Sequence, residues 1–231
     1  AEDGVATIPT ERAPHGLSVV SGAPLGTRAF DEGWFVVQDE ASQLIAPFAG
    51  VSPGARVLDL CASPGGKTVA LAADAGEAGR VVACDVRPRR VRLLRTMLRR
   101  TGLDRVPIVQ VPSTGALPFG DAVFDTVLVD APCSGLGTLR RDPDIRWSRT
   151  PEDVARMAVR QRELVHEAAR LVRPGGSLVY ATCSSEPDEN EDVVGAFVAA
   201  HAGFVLVREH RTTPPEDALE AFYGAVIARN V

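Results

Sequence analysis

Lysine is almost absent from this chain. Of its 25 basic residues only Lys67 is a lysine, and the rest are arginines. Arginine presents a planar fork of donors, whereas lysine is a compact cation whose charge is readily tuned by its surroundings. A lone lysine directly after two glycines therefore marks a position for scrutiny. Long apolar runs are missing too. No stretch reaches the roughly 20 residues that a spanning helix needs, and no basic-then-apolar leader opens the chain, so the expectation is a cytoplasmic protein without a membrane. Cysteine is scarce. Cys61, Cys84, Cys133 and Cys183 form no Cys-x-x-Cys pair, which argues against a zinc site and, with no mark of secretion, against a disulfide framework. Four free thiols and no bound metal are expected. The chain opens on Ala1 rather than methionine, and an upstream part of a longer protein is expected.

What is present suits one globular domain. The 231 residues are 45% hydrophobic and 24% charged, an ordinary balance for a packed core. The net charge of −5 argues against indiscriminate coating of nucleic acid. The charge is unevenly placed, however. Residues 87–105 hold eight arginines and one carboxylate, Asp104, and a second group comprises Arg140, Arg141, Arg146 and Arg149. Both groups suit a phosphate backbone. The first suits the solvated face of a helix equally well.

Residues 1–33, rich in Pro, Gly and polar residues, read as an irregular lead-in or the remnant of an upstream domain, with the main domain over 34–231. Helical spacing of Ala41, Leu44, Ile45 and Phe48 predicts a helix over 39–48. From residue 56 strands and helices alternate. Strands are predicted at 56–61, 80–85, 106–111, 124–130, 177–182, 204–208 and 225–229. Helices are predicted at 67–75, 88–101, 152–172 and 188–200, the third ended by Pro174-Gly175-Gly176. Such alternation predicts an α/β sandwich around a mainly parallel seven-stranded sheet with helices on both faces. Ligands in such folds bind beyond the carboxyl ends of the strands.

The first strand runs into Asp59-Leu-Cys-Ala-Ser-Pro-Gly-Gly-Lys-Thr68. Glycines between strand and helix let the backbone approach a ligand closely. Gly66-Lys67-Thr68 matches the end of a phosphate-binding loop, but that motif needs Gly where Cys61 stands, and Pro64 removes a backbone donor. Asp85, at the end of the second strand, is placed to accept from a ribose diol; it also suits a plain strand-end turn. A dinucleotide would call for the fuller Gly-x-Gly-x-x-Gly, which is absent. S-adenosylmethionine, with a ribose and no pyrophosphate, fits better.

Cys133 follows the fourth strand in Asp130-Ala-Pro-Cys-Ser-Gly135, and Cys183 follows the fifth in Ala181-Thr-Cys-Ser-Ser185. A single strand-end cysteine is usually a small core residue. Two, each in a polar loop beside a predicted cofactor crevice, point to chemistry.

VLDLCASPGGKT (57–68), DAPCSGLGTLRRDPDIRW (130–147) and YATCSSEPDENE (180–191) resemble three motifs of the RNA 5-methylcytosine methyltransferases, the Nop2/Sun family, and are most like its bacterial small-subunit ribosomal RNA branch. GWFVVQDEASQL (33–44) and FYGAVIARN (222–230) resemble that family as well, so the likeness covers about residues 30–231. It implies a Rossmann-like class I S-adenosylmethionine-dependent methyltransferase fold, RNA as partner, and a monomer. The implied cofactor residues are Cys61, Ala62, Ser63, Pro64, Gly65, Gly66, Lys67, Asp85, Arg90 and Asp130. The implied catalytic residues are Cys183 as nucleophile, Cys133 assisting product release, Asp130 and Lys67. Arg140, Arg141 and Arg146 would hold RNA. The family's upstream RNA-binding domain is not in this sequence, and Gln110-Val-Pro-Ser113 stands where the family has an Asp near the adenine.

The chemistry explains the residue types. Carbon 5 of cytosine is a poor nucleophile until a thiolate adds to carbon 6. The negative charge then pushed onto ring nitrogen 3 needs a donor, for which Asp130 beside Lys67 is the candidate. A base must afterwards remove the carbon 5 proton. The residues alone do not order the two thiols; only the resemblance does. Target bases in structured RNA must be unstacked, and Trp147 reads as a stacking platform or as a core residue. Two other classes remain: a non-catalytic RNA-binding scaffold, which would be marked by loss of a cysteine or of the glycine turn, and a small-molecule methyltransferase, which needs neither the two thiols nor the arginines after Cys133.

Overall fold

A computed structural model describes residues 4–214, 216 and 218–231. In chain order the strands are β1 (Ala6–Pro9), β2 (Leu17–Ser21), β3 (Arg56–Asp59), β4 (Arg80–Asp85), β5 (Ile108–Gln110), β6 (Phe124–Asp130), β7 (Val172–Thr182), β8 (Phe204–Thr212) and β9 (Phe222–Arg229). The helices are α1 (Arg28–Asp31), α2 (Glu40–Gln43), α3 (Ile45–Ala49), α4 (Gly66–Ala75), α5 (Pro88–Arg100), α6 (Ile145–Ser148), α7 (Pro151–Ala169) and α8 (Glu191–Ala200).

Seven strands form one sheet in the order β5-β4-β3-β6-β7-β9-β8. The pairs from β5 to β7 are parallel, and β9 alone runs against its neighbours. Central strands are apolar on both faces because both are covered. Val127, Val129, Leu178 and Tyr180 pack with Val165 and Ala168 of α7 and Val193 and Phe197 of α8. The alternate residues Val57, Leu128 and Val179 pack with Ile45, Leu71 and Leu94 of α3, α4 and α5. Helix starts follow ordinary capping rules. Thr150 and Asp153 form a capping box with Pro151 in the first turn of α7, and Pro88 opens α5.

Several expectations need correction. The lead-in is not irregular throughout: β1 and β2 pair as an antiparallel hairpin with exposed residues on both strands, and residues 1–3 lie outside the described residues. The helix expected over 39–48 is divided into α2 and α3. Pro47 has no N–H for the carbonyl of Gln43, so the ladder breaks there. Pro174-Gly175-Gly176 does not end α7, which stops at Ala169; it forms a bulge inside β7, where the register with β6 shifts. A side chain at Gly176 would lie 2.7 Å from the carbonyl oxygen of Asp125, so the close approach requires glycine. The third strand is shorter than expected, and the last two are longer.

Candidate active site

The strand order reverses between β3 and β6, and the carboxyl ends of β3, β4, β6 and β7 open on one crevice of about 1120 Å³. The β3–α4 turn carries Gly65 at φ +121°, a conformation that glycine alone adopts easily. A Cβ on Gly66 would sit 2.6 Å from Oε1 of Gln38. The predicted Cys61, Ala62, Ser63, Pro64, Gly66 and Lys67 all line the crevice, as do Asp85, Arg90 and Asp130. Gly65 packs behind the turn, with Leu94 and Met97 nearest the position of a Cβ.

Asp85 is buried at the end of β4. It accepts from the backbone N–H of Arg87 at 3.1 Å and pairs with Arg90 at 3.2 Å. Arg90 in turn donates to the carbonyl of Ser63 at 2.6 Å, joining the first strand-end loop to the second. Asp59 is wholly buried under the turn. Thr68 donates to its Oδ2 at 2.6 Å, while its Oδ1 has no hydrogen-bond partner. Burial, opposed by the Thr68 bond, pushes its carboxyl up to about 7. Val111, Pro112 and Ser113 line one wall of the crevice; Gln110 points instead to the carbonyl of Val86.

Lys67 occupies the first turn of α4. Its ammonium donates to Oδ2 of Asp130 at 2.7 Å and to Oγ of Ser42 at 2.8 Å, and it lies 5.2 Å from the centroid of the Phe222 ring. Gln38 donates to the same Ser42 hydroxyl at 2.8 Å. Helix α2 therefore helps to fix the one lysine. Ser42, Gln38 and Phe222 were given no role by the sequence reading, although all three lie in segments that it quoted.

The two strand-end thiols meet. Sγ of Cys133 is 3.1 Å from Sγ of Cys183. All four cysteines are free. The hydrogen bond from Cys133 holds the Cys183 thiol below its ordinary range, against burial; Lys67 and Arg141 act in the same direction and the charge of Asp130 opposes them. Cys133 is pushed up by that same bond, then by burial and by the negative charges of Cys183 and Glu189. Cys61 and Cys84 are pushed well up by burial and stay protonated. Glu189, a buried carboxylate between the two thiol loops, escaped the sequence reading despite lying inside the YATCSSEPDENE segment.

The arginines divide. Arg141 reaches the crevice but pairs with the buried Glu220 at 3.3 Å. Arg140 donates to the carbonyl of Ala218 and stands 3.9 Å from Asp39. Arg146 stacks near Trp147, 5.0 Å from its ring. Trp147 is 79% exposed, which removes the core alternative. Arg149 and Arg160 line the crevice as well, and Arg149 donates to the carbonyl of Ser134 next to Cys133. The 87–105 cluster lies mainly on α5, whose Val91, Leu94 and Leu98 are buried, so most of its arginines form the solvated face. Among the described residues no group of three or more His, Cys, Asp or Glu could hold a metal, and no helix is long and apolar enough to cross a membrane.

The strand order with its single reversed strand, the glycine turn and the strand-end acids define a Rossmann-like class I S-adenosylmethionine-dependent methyltransferase fold. Residues 49–224 match the family model of the 16S rRNA methyltransferase RsmB/F, and the chain belongs to that family. It is 36% identical over 208 residues to the probable ribosomal RNA small subunit methyltransferase B of Bacillus subtilis, covering 88% of this chain and 46% of that protein. It is 42% identical over 188 residues to the ribosomal RNA small subunit methyltransferase B of Pseudomonas syringae, covering 80% and 42%. The crystal structure of NSun6 from Pyrococcus horikoshii with SFG superposes with a TM-score of 0.79 at 26% identity, covering 94% of this chain and 61% of that one. The chain spans about half the length of the curated relatives it matches.

S-adenosylmethionine is the cofactor of this family and fold, and the crevice fits it. Its volume of about 1120 Å³ admits a nucleoside with an amino-acid tail. The glycine at 66 lets the side chain of Gln38, itself a crevice residue, close on the turn, 2.6 Å from where a Cβ would sit. Cys61, Ala62, Ser63, Pro64, Gly66, Lys67 and Asp85, which line the crevice, are the candidates to hold it.

Proposed function

We propose that this chain is the catalytic unit, over residues 34–231, of a cytoplasmic enzyme that methylates carbon 5 of a cytosine in small-subunit ribosomal RNA, with Cys183 as nucleophile. The observation that carries the reading is the pair of strand-end thiols 3.1 Å apart beside the Lys67–Asp130 ion pair in one crevice. A small-molecule methyltransferase needs no such thiol pair, and a scaffold would not keep it together with an intact glycine turn. The names of the relatives support ribosomal RNA as the substrate.

Bound S-adenosylmethionine supplies an electrophilic methyl group on a sulfonium. The protein makes cytosine able to take it. Cys183, whose ionisation the Cys133 hydrogen bond and the Lys67 cation favour, adds as thiolate to carbon 6. The electron pair of the ring moves onto nitrogen 3, where the ammonium of Lys67, held in place by Asp130, stabilises it. Carbon 5 is now enamine-like and accepts the methyl group. Release needs the carbon 5 proton removed, the double bond between carbons 5 and 6 restored, and the carbon–sulfur bond broken. Cys133 is the candidate base. Once Cys183 is a thioether it carries no charge, so the largest cause that held Cys133 protonated is gone. Cys133, having passed its own proton to solvent, takes the carbon 5 proton as a thiolate; the electrons of that C–H bond restore the double bond as the carbon–sulfur bond breaks and Cys183 leaves as thiolate.

The test is transfer of labelled methyl from S-adenosylmethionine to small-subunit ribosomal RNA by this chain, followed by nucleoside analysis. Label in 5-methylcytidine is expected. Label in another nucleoside, or none in RNA while the chain binds the cofactor, would overturn the reading.

A further inference from the structure

Glu189 is a fully buried carboxylate that the mechanism above does not use. It sits in a 3-10 turn, Pro187–Glu189, just before α8. A carboxylate there is tolerable only if its oxygens are satisfied by donors, and four donors converge on it. Oε1 accepts from the backbone N–H of Ser134 at 2.8 Å and from the Gln161 amide at 3.0 Å. Oε2 accepts from the hydroxyls of Ser134 and Ser184, each at 2.5 Å. Ser134 follows Cys133, and Ser184 follows Cys183. The amide of Gln161 also donates to the carbonyl of Pro132 at 3.0 Å, on the other side of Cys133.

We propose that Glu189 is a positioning residue for the thiol pair: its single carboxylate fastens the Cys133 loop and the Cys183 loop to one point and so sets the two sulfurs against each other. The inference rests on the cytosine reading for its catalytic consequence, though not for its geometry. Hydrogen bonds to an ionised acceptor are roughly twice as strong as neutral ones, which suits a joint that must hold two loops from different strands. A backbone contact, Gly137 N–H to the Cys183 carbonyl at 3.0 Å, also links the loops, but it has no hold on the residues beside Cys133. The charge has a second effect. It opposes ionisation of Cys133, which favours Cys183 as the member of the pair that ionises. Glu189 does not line the crevice, so it acts through the cysteines and not on the cofactor.

The experiment uses Glu189→Gln, which keeps the shape and removes the charge, and Ser184→Ala, which removes one hydroxyl. Alkylation of Cys183 and Cys133 by iodoacetamide is followed against pH by peptide mass spectrometry, alongside kcat, KM and the affinity for S-adenosylhomocysteine. In the wild type Cys183 should react first. In Glu189→Gln the pH midpoint of Cys183 should rise and its preference over Cys133 shrink. The kcat should fall about 100-fold, the scale of a misplacement near 1 Å, with cofactor affinity unchanged; Ser184→Ala should shift the same way by less. Wild-type alkylation and kcat in Glu189→Gln overturn the proposal, and so does a loss of cofactor affinity parallel to that of kcat. If Glu189→Gln does not fold, an unchanged Cys183 profile in Ser184→Ala overturns it. Failure of the wild type to make 5-methylcytidine would defeat the cytosine reading, while the alkylation profiles would still decide the role of Glu189.

Discussion

Sγ of Cys133 lies 3.1 Å from Sγ of Cys183, and the hydrogen bond they share moves two chemically identical groups in opposite directions, Cys183 down and Cys133 up. Addition needs the thiolate; elimination needs the base. Cys133→Ala should therefore accumulate a covalent protein–RNA adduct, visible as a band of raised mass on a denaturing gel and dependent on RNA and cofactor. Cys183→Ala should form none. The reverse pattern would exchange the two roles. Normal methylation by both variants would rule out covalent catalysis.

Lys67 is held from three sides, by Asp130, Ser42 and the Phe222 ring. Lys67→Met should lower kcat by about 10²–10³-fold, the cost of losing one preorganised charge-stabilising donor. It should also raise the pH at which Cys183 alkylates, because the lysine charge favours the thiolate. Ser42→Ala leaves the ion pair and removes one acceptor, so its effect should be nearer 1 kcal/mol, about fivefold in rate. Equal losses in both variants would mean that Ser42, and not the charge, sets the site.

Much of this was legible in the chain. Apolar runs, turn residues and alternation place all seven strands of the sheet, since a parallel sheet covered on both faces leaves continuous Val/Leu/Ile runs. Glycines before Lys67 and acids at strand ends locate the crevice. Contacts between distant residues were not legible. Nothing in sequence places Ser42 on Lys67, 25 residues away, or Glu189 on Ser134, 55 residues away. Nor does arginine content reveal which guanidinium is already occupied, as Arg141 is by Glu220. Helix breaks and bulges at Pro47 and Gly176 were misread because local signals do not show whether a proline ends an element or bends it.

Arg141 has two possible duties, and salt dependence separates them. If it holds an RNA phosphate, Arg141→Ala should weaken RNA binding and reduce the slope of log affinity against log salt by about one. If it serves only the buried Glu220, the slope should stay the same while stability falls. Glu220 is already pushed up by burial, with Arg141 acting to hold it down, so the stability loss in the variant should be greater at pH 8 than at pH 5. Glu220→Gln, which frees Arg141, should tighten RNA binding only under the first alternative.

Asp59 gives the fold its own pH signature. The carboxyl is wholly buried, one oxygen has no partner, and the group titrates at about 7 in the folded chain. An unfolded aspartate titrates at about 3.9. Between these values the folded chain keeps a proton that the unfolded chain has released, so by linkage this group's contribution to stability falls as pH rises. It is fully present below about pH 4 and lost above about pH 7, the opposite of a salt-bridged aspartate. Asp59→Asn keeps an oxygen for the Thr68 hydroxyl and abolishes the titration. Thermal unfolding of the cofactor-free chain should therefore show a smaller fall in Tm between pH 5 and pH 8 for the variant than for the wild type. Parallel curves would mean that Asp59 is ionised at neutral pH. Its unpartnered oxygen would then be a charged acceptor facing the cofactor turn, and Asp59→Asn should instead weaken S-adenosylhomocysteine binding most strongly at high pH.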